Sequence, residues 1–570
     1  MSISVRESSK QKPSYWHSVG TEPLSTLTLG QLVDMAAERW ADKEAVKSLY
    51  EGRSFTFREL RDKADRLAAG LLQLGLSPGD RLGIWGPNSS DWFISRIAAA
   101  RAGLIAVLMD PAYQGPQLLH SFNKVDIKAL ICSEFYKTNS CYQIVRTVIP
   151  ELDNCPESGI ELRCSKAPSL KALILMSEKK YRGAYRLSDI MASARPETIR
   201  IIQELQTKIQ PDEGCAIQFS SGTTGSPKGA LLSNHNIVNN SMMLGRRIGL
   251  DAKGAKTIAG TPYYHTSGTI LNIFCTLSFG VTTVIAAPVL DARRILEGII
   301  QERCTHIFTT PSLYLDLIST SQDLGLKVTT LEVASYGAAP CSQELALQIK
   351  EVLNARTLIP IFGMTEVAAV FCSRRGDTLQ QTTATVGYVI DHCEAKVVDK
   401  EGRMVPMGTP GELWVRGYSV MLGYWNEEEK TRQFIGPDGW AKTGDQFVLQ
   451  EDGYGRIVGR LKDMIIRISD NTFPVEIEEF FAGHPDILEA QAFGVPDTKV
   501  GEEICVFLRL RDGATLTEQD VRNYCKDKVS EYKIPRYIRF VKEFERTAVG
   551  KVQKFRLLQQ LQQELAQNSS

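Results

Sequence analysis

Helix-type and strand-type apolar patterns alternate from the start of this chain to about residue 400, and that alternation limits its fold more than any other feature. Leu29, Leu32, Val33, Ala36, Ala37 and Trp40 recur at helical spacing. A hairpin pattern follows, Ala45–Leu49 and Ser54–Phe57 joined across Glu51-Gly52. Thr56 and Glu59 then make a capping box ahead of Leu60, Ala64, Leu67, Leu71 and Leu72. Ser77-Pro78-Gly79-Asp80 turns the chain into a strand, Arg81–Trp85. Repetition of this unit predicts large layered α/β subdomains. From Ala395 to about Val420 the pattern changes to strands separated by turns such as Pro406-Met407-Gly408-Thr409-Pro410-Gly411, which predicts a β-rich subdomain. Beyond Gly459-Arg460-Leu461-Lys462-Asp463 the chain reads as a separate α+β unit of about a hundred residues. Its predicted pieces are a helix near Val475–Phe481, strands Leu488–Val495 and Glu503–Leu510, a helix capped by Thr517 and Asp520, and a long basic loop leading to Lys551.

Composition removes several function classes. Lys+Arg 66 against Asp+Glu 66 leaves no net charge with which to capture nucleic acid or an anionic membrane. The 12 cysteines contain no CxxC pair, and the 7 histidines no HExxH, so neither zinc nor a disulfide framework is expected. Buried thiols in a reducing compartment are. The longest apolar stretch, Leu271 to Leu290, is broken by Asn272, Gly280 and Pro288 and reads as a buried helix followed by a strand, not a membrane span. Arg6, Lys10 and Lys12 among serines are faintly like a transit peptide, but Glu7 and the sparse apolar content oppose that, and no peroxisomal address ends the chain. The cytoplasm is expected, with the mitochondrial matrix as the alternative.

One loop concentrates chemistry. Ser220-Ser221-Gly222-Thr223-Thr224-Gly225-Ser226-Pro227-Lys228-Gly229 follows an apolar strand, Cys215–Phe219, and packs hydroxyls, glycines and a lysine into ten residues. Glycines let backbone N–H groups converge, and hydroxyls and an ammonium add donors, so the loop suits a polyphosphate. It lacks the GxxxxGK[ST] spacing of a P-loop. A solvated turn would have the same composition.

Together with this loop, Tyr336-Gly337-Ala338-Ala339-Pro340, Phe362-Gly363-Met364-Thr365-Glu366, Gly411-Glu412-Leu413, Thr443-Gly444-Asp445, Gly459–Asp463 and Gly550-Lys551 stand in the order and spacing of the adenylate-forming superfamily. The chain resembles that family from about residue 15 onward. Trp85–Ser89, Pro111–Gln114, Val420–Trp425 and Lys462–Arg467 are similar to its medium-chain acyl-CoA synthetase branch. The resemblance implies an N-terminal extension over 1–15, expected to be disordered, a large AMP-binding domain over 16–460, and a small mobile C-terminal domain over 461–570 hinged near Lys462. It also implies a reaction. A carboxylate attacks the α-phosphate of ATP, pyrophosphate leaves, and the acyl-adenylate passes its acyl group to coenzyme A.

Roles follow by match to the family's motifs. Ser220, Ser221, Gly222, Thr223, Thr224, Gly225 and Lys228 would hold the β- and γ-phosphates, and Glu366, next to Thr365, the Mg2+. Gly337, Ala338 and Phe362 would flank adenine, with Phe362 where tyrosine is usual. Asp445 and Arg460 would hold the ribose, and His265 would border the acyl and thiol passages. Lys551 would reach the carboxylate and α-phosphate. Taken singly, each also has a plain structural reading: a solvated lysine, a surface glutamate, an ion pair, a loop histidine. Two departures concern the second step. Ile468-Ser469-Asp470-Asn471-Thr472 replaces the family's Gly-Gly-Glu-Asn-Ile, and Val549 stands where serine or asparagine is usual. An acyl-CoA synthetase is therefore expected, with two alternatives: an adenylate-forming enzyme with another acceptor (amide ligase, carrier loading or luciferase-like) and a non-catalytic nucleotide- or acyl-binding protein. Acyl length and oligomeric state are not legible.

Overall fold

Two large twisted sheets with helices between and around them form the body of the molecule, seen in a computed structural model that describes residues 12–220, 227–339, 341–467, 470–497, 500–526, 528–530, 533–547 and 550–567. The first sheet runs in the spatial order Ala184–Arg186, Ala172–Met176, Ile127–Ser133, Arg81–Trp85, Ile105–Met109, Gly214–Ser220, Lys228–Ser233, Gly423–Tyr424. Its first six strands are parallel and the last two antiparallel. The second sheet is parallel through Thr357–Met364, Val333–Gly337, His306–Thr309, Lys256–Ile258, Thr282–Ile285 and Glu44–Ser48, with antiparallel strands at both edges. Parallel strands are covered on both faces, and near-continuous apolar runs such as Ile105–Met109, buried at every position, are the sequence consequence.

Local signals position the helices. Thr28 caps the helix Leu29–Arg39 and Thr56 the helix Phe57–Gln73, and both are full capping boxes, with Gln31 and Glu59 returning the second hydrogen bond. The helix Ser90–Arg101 packs against both and is buried at every residue but Asp91, its arginines included. Its last residue, Arg101, is fully buried. Nε meets Asp65 at 2.6 Å, and one terminal nitrogen meets Asp34 at 2.6 Å and donates to the Gly30 carbonyl at 2.9 Å. Three helices are thereby tied at one point. Arg101→Met is expected to cost about 3–5 kcal/mol, because it strands the buried Asp65 carboxylate, and a thermal-melt midpoint unchanged to within a degree would contradict that assignment.

The β-rich subdomain is a five-stranded antiparallel sheet ordered Tyr15–His17, Cys393–Val398, Gly411–Gly417, Ala441–Leu449, Gly455–Arg460. Its first strand corrects the expected extension. Ser14 donates its N–H to the Val405 carbonyl at 2.7 Å, Pro13 bridges Pro406, and Tyr15–His17 pair with residues 394–396, so the chain is held in the fold from at least residue 13. A 3₁₀ turn, Leu461–Asp463, then leads to the terminal α+β unit: strands Ile465–Arg467 and Asp470–Thr472, helix Pro474–Ala482, strands Ile487–Asp497 and Gly501–Leu510, and helices Glu518–Cys525 and Lys554–Gln567. The long basic loop of the sequence reading contains one more strand, Tyr537–Val541, laid parallel to Gly501–Leu510. Alternation there is masked by Arg539, which turns to Glu564 at 2.8 Å. The two positions that depart most from the family pattern, Ile468 and Ser469, lie outside the described residues, as does Val549.

Candidate active site

In open parallel sheets the crevice beyond the carboxyl ends of the strands collects the loops that bind ligands. Here Ser220, Thr310, Gly337 and the turn after Met364 all stand at such ends. Ser221, Gly222, Thr223, Thr224 and Gly225, expected to hold phosphate, lie outside the described residues, but both flanks of the loop are in place. Ser220 Oγ donates to Glu366 Oε1 at 2.7 Å, and Tyr424 OH donates to the same oxygen at 2.9 Å. The Lys228 ammonium lies over the Tyr424 ring, 5.0 Å from its centroid. Glu366 is 5 % exposed, so it is neither a surface residue nor a helix cap. A buried carboxylate whose hydrogen bonds from the described residues fall on one oxygen suits a hard cation bound mainly by phosphate oxygens and water. No group of three or more His, Cys, Asp or Glu side chains able to hold a metal alone exists among the described residues. Tyr424→Phe removes one of the two donors fixing Glu366. About a tenfold weaker apparent Mg2+ affinity is expected in pyrophosphate release, and an unchanged Mg2+ titration would separate Tyr424 from the metal.

Gly337 closes the strand Val333–Gly337 so tightly that a Cβ there would meet the Ile361 carbonyl oxygen at 2.5 Å. Ala338, next in the chain, takes φ 67°, a left-handed conformation that costs a residue with a Cβ about 1–2 kcal/mol and that is commoner at binding sites. Phe362 is half-buried against Phe371 and Phe447, ring centroids 6.2 and 6.0 Å away. Thr365 is half-buried in the turn between Phe362 and Glu366.

Asp445 and Arg460 face each other across the β-rich sheet in register, Nε to Oδ1 3.1 Å. Asp445 is 2 % exposed, and burial raises its pKa although Arg460 and Lys551 both act to lower it. Its second oxygen, Oδ2, is buried with no hydrogen-bond partner among the described residues. Such an orphan acceptor is expensive unless a ligand hydroxyl satisfies it.

Lys551 reaches the same place from the terminal unit. The preceding Gly550 has φ 80°, which glycine permits, and packs against the helix start at Thr310. Ser312 Oγ donates to the Gly550 carbonyl at 3.3 Å, and a Cβ on Gly550 would come within 2.9 Å of Thr310 Oγ1. Lys551 keeps accessible surface toward the cleft, yet protein surrounds it closely enough that desolvation, then the positive charge of Arg460, lowers its pKa. His265 borders the same space. Burial and the Lys551 charge push its pKa down to about 4, so it is neutral at physiological pH. Its Nδ1 accepts from the Ser267 backbone N–H at 3.3 Å, which leaves the proton on Nε2.

The structure therefore gathers Ser220, Lys228 and Glu366 around Tyr424, and brings Lys551 beside His265, Asp445 and Arg460, with Gly337, Ala338, Phe362 and Thr365 at or beside the carboxyl ends of neighbouring strands. A family profile described as AMP-binding enzyme matches residues 33–425, and a second, AMP-binding enzyme C-terminal domain, matches 476–551. The chain belongs to the AMP-binding enzyme family. Among curated relatives of this family, medium-chain acyl-CoA ligase ACSF2, mitochondrial, of Bos taurus is 38% identical over 548 residues, 95% of this chain and 89% of the relative. The Danio rerio protein of the same name is 38% identical over 555 residues, 97% of this chain and 91% of its own. Among solved structures, the anthranilate CoA ligase AuaEII in complex with anthranoyl-AMP superposes with TM-score 0.81 at 23% identity, covering 96% of this chain and 99% of that one. ATP-bound MatB from Rhodopseudomonas palustris gives 0.78 at 24% identity, covering 94% and 99%. These two likenesses establish the fold: a large body and a small terminal domain. Tyr424 and the Thr310–Ser312 docking site are the functional contacts that sequence reasoning missed. Tyr424 lies inside the Val420–Trp425 segment, but only the third dimension brings it to Glu366 and Lys228.

Proposed function

We propose that this chain is an ATP-dependent, AMP-forming acid–CoA ligase that activates a medium-chain or broad range of fatty acids as acyl-adenylates and transfers them to coenzyme A. The observation that carries the reading is the convergence of Lys551, brought in by the terminal unit, on neutral His265 and on the buried Asp445 paired with Arg460. The substrates are a carboxylic acid, ATP with Mg2+, and coenzyme A. Bound at Glu366, the metal would neutralise phosphate charge. Ser220 and Tyr424 orient that carboxylate, and the 220–228 loop with Lys228 would grip the phosphates. Asp445 Oδ2 would accept from a ribose hydroxyl while Arg460 holds its other oxygen.

Lys551 brings positive charge to where an anionic nucleophile approaches a polyanion, a step that depends on positioning and charge neutralisation. A depressed pKa means a poorly hydrated ammonium, which interacts more strongly with the acid and the α-phosphate. The thiol then needs the space Lys551 occupies. We assign the swing to the 3₁₀ turn Leu461–Asp463, with Lys462 absorbing the rotation, since none of its three residues is buried. The Gly550–Ser312 contact and the Arg511–Glu344 ion pair, exposed on both sides, are weak enough to exchange. The relatives' names carry the word mitochondrial, which favours the mitochondrion over the cytoplasm. No helix among the described residues is long and apolar enough to cross a membrane. The test is pyrophosphate release over a panel of carboxylic acids with and without coenzyme A. Thioester formed in step with pyrophosphate supports the ligase. Acyl-AMP that accumulates despite the thiol points to another acceptor, and no release with any acid overturns the reading.

A further inference from the structure

Among the described residues, one ionised side chain in the core meets no carboxylate. Arg96 sits in the middle of the helix Ser90–Arg101 with no exposed surface, and its Nε and both terminal nitrogens lack hydrogen-bond partners among the described residues. It lies over the Phe274 ring, 4.8 Å from the centroid. The titratable group beside it is Cys215, whose sulfur is only a weak acceptor for the guanidinium; burial pushes that thiol up to about 11, so it is uncharged and does not balance the charge. Arg101, five residues on, shows how this helix treats a structural arginine: two carboxylates and a carbonyl meet it. Arg96 has none of these. Its neighbourhood is also rich in idle donors. Trp92 lies one turn earlier on the same face, and Tyr263 packs its ring 5.5 Å from that of Trp92. Trp92 Nε1 and Tyr263 OH are both buried without partners among the described residues.

A cation–π contact offsets only part of the cost of burying a cation, and a buried charge otherwise demands an anion. The placement indicates where that anion comes from. Tyr263 stands two residues before His265. Phe274 ends a wide-turned segment, Thr269–Phe274, whose i→i+5 geometry is frequent at functional sites, in the helical run that His265 caps. Phe274 lies nine positions along the helical run from His265, roughly 13 Å at ~1.5 Å per residue, which is comparable to an extended medium-chain acyl group. We propose that Arg96, with Trp92 and Tyr263, forms the floor of the acyl passage and pairs with a carboxylate at the far end of the substrate. The chain thus activates one end of a medium-chain dicarboxylic acid in preference to the simple fatty acid of the same length. The proposal deepens the ligase reading and rests on it. A guanidinium fork matches a carboxylate bidentately, and an apolar terminus against the same fork leaves the charge unsatisfied.

The experiment compares kcat/KM for pyrophosphate release with octanedioate and octanoate in the wild type, Arg96→Leu and Arg96→Lys, alongside melting midpoints with each acid. The wild type is expected to favour octanedioate by about tenfold or more. Arg96→Leu is expected to lower octanedioate turnover about tenfold to a hundredfold and to raise that of octanoate, while Arg96→Lys keeps part of the preference. Octanedioate should raise the melting midpoint of the wild type and not of Arg96→Leu. Should Arg96→Leu fail to fold, Arg96→Gln removes the charge while keeping polarity and carries the same comparison. An unchanged ratio of the two acids in a folded, active charge-removed variant overturns the proposal and leaves the ligase standing. A wild type that releases pyrophosphate with neither of these nor any other acid overturns both.

Discussion

Lys551→Ala is expected to reduce acyl-AMP formation at least a hundredfold to a thousandfold while sparing thioester formation from supplied acyl-AMP. The asymmetry follows from geometry. Lys551 enters the cleft on a loop that docks at Thr310 and Ser312, and its charge is felt by both His265 and Asp445. The adenylation half-reaction needs that charge, and the second needs the loop gone. Equal loss of both half-reactions would remove Lys551 from this role. A pH profile gives an independent check. Desolvation and Arg460 lower the Lys551 pKa, so the active ammonium is present at low pH and lost as pH rises through that depressed value. Adenylation should fall on the alkaline side before the ordinary lysine range, and Lys551→Arg should move that limb upward. His265 titrates near 4 and so contributes no limb between pH 6 and 9. An alkaline limb that stays put in Lys551→Arg would assign it to another group.

Asp445→Ala should raise the KM for ATP about tenfold to a hundredfold, with a smaller change in KM for the acid. Two losses combine. The orphan Oδ2 can no longer accept a hydrogen bond from the nucleotide, and Arg460 loses the anion it meets at 3.1 Å. Asp445→Asn keeps one acceptor oxygen, so it should recover part of the ATP affinity. Equal KM values for ATP in wild type and Asp445→Ala would show that the pair is only a strap for the β-rich sheet.

Much of this was legible in the chain. The capping boxes at Thr28 and Thr56, the hairpin at 44–56 and the layered α/β body follow from spacing and local hydrogen-bond chemistry, which the backbone obeys wherever it lies. The tail strand Tyr537–Val541 was not legible, because Arg539 reaches a distant helix and breaks the apolar alternation. Nor was the strand at Tyr15–His17, whose pairing partner lies almost four hundred residues further along. The site divides in the same way. Asp445 and Arg460 each had motif support, but the pairing in register and the idle Oδ2 belong to the sheet.

The residue types alone determined the chemistry on offer: a hydroxyl- and glycine-rich turn, one acidic residue after a threonine, a lysine near the tail and no metal-ligand spacing. Those are properties of side chains and of intervals along the chain, so they need no coordinates. Tertiary structure decided which groups meet and which are left over. Burial strips water from Asp445, His265, Lys551 and Arg96 alike, and only the packing around each fixes whether protein replaces that water or a ligand must.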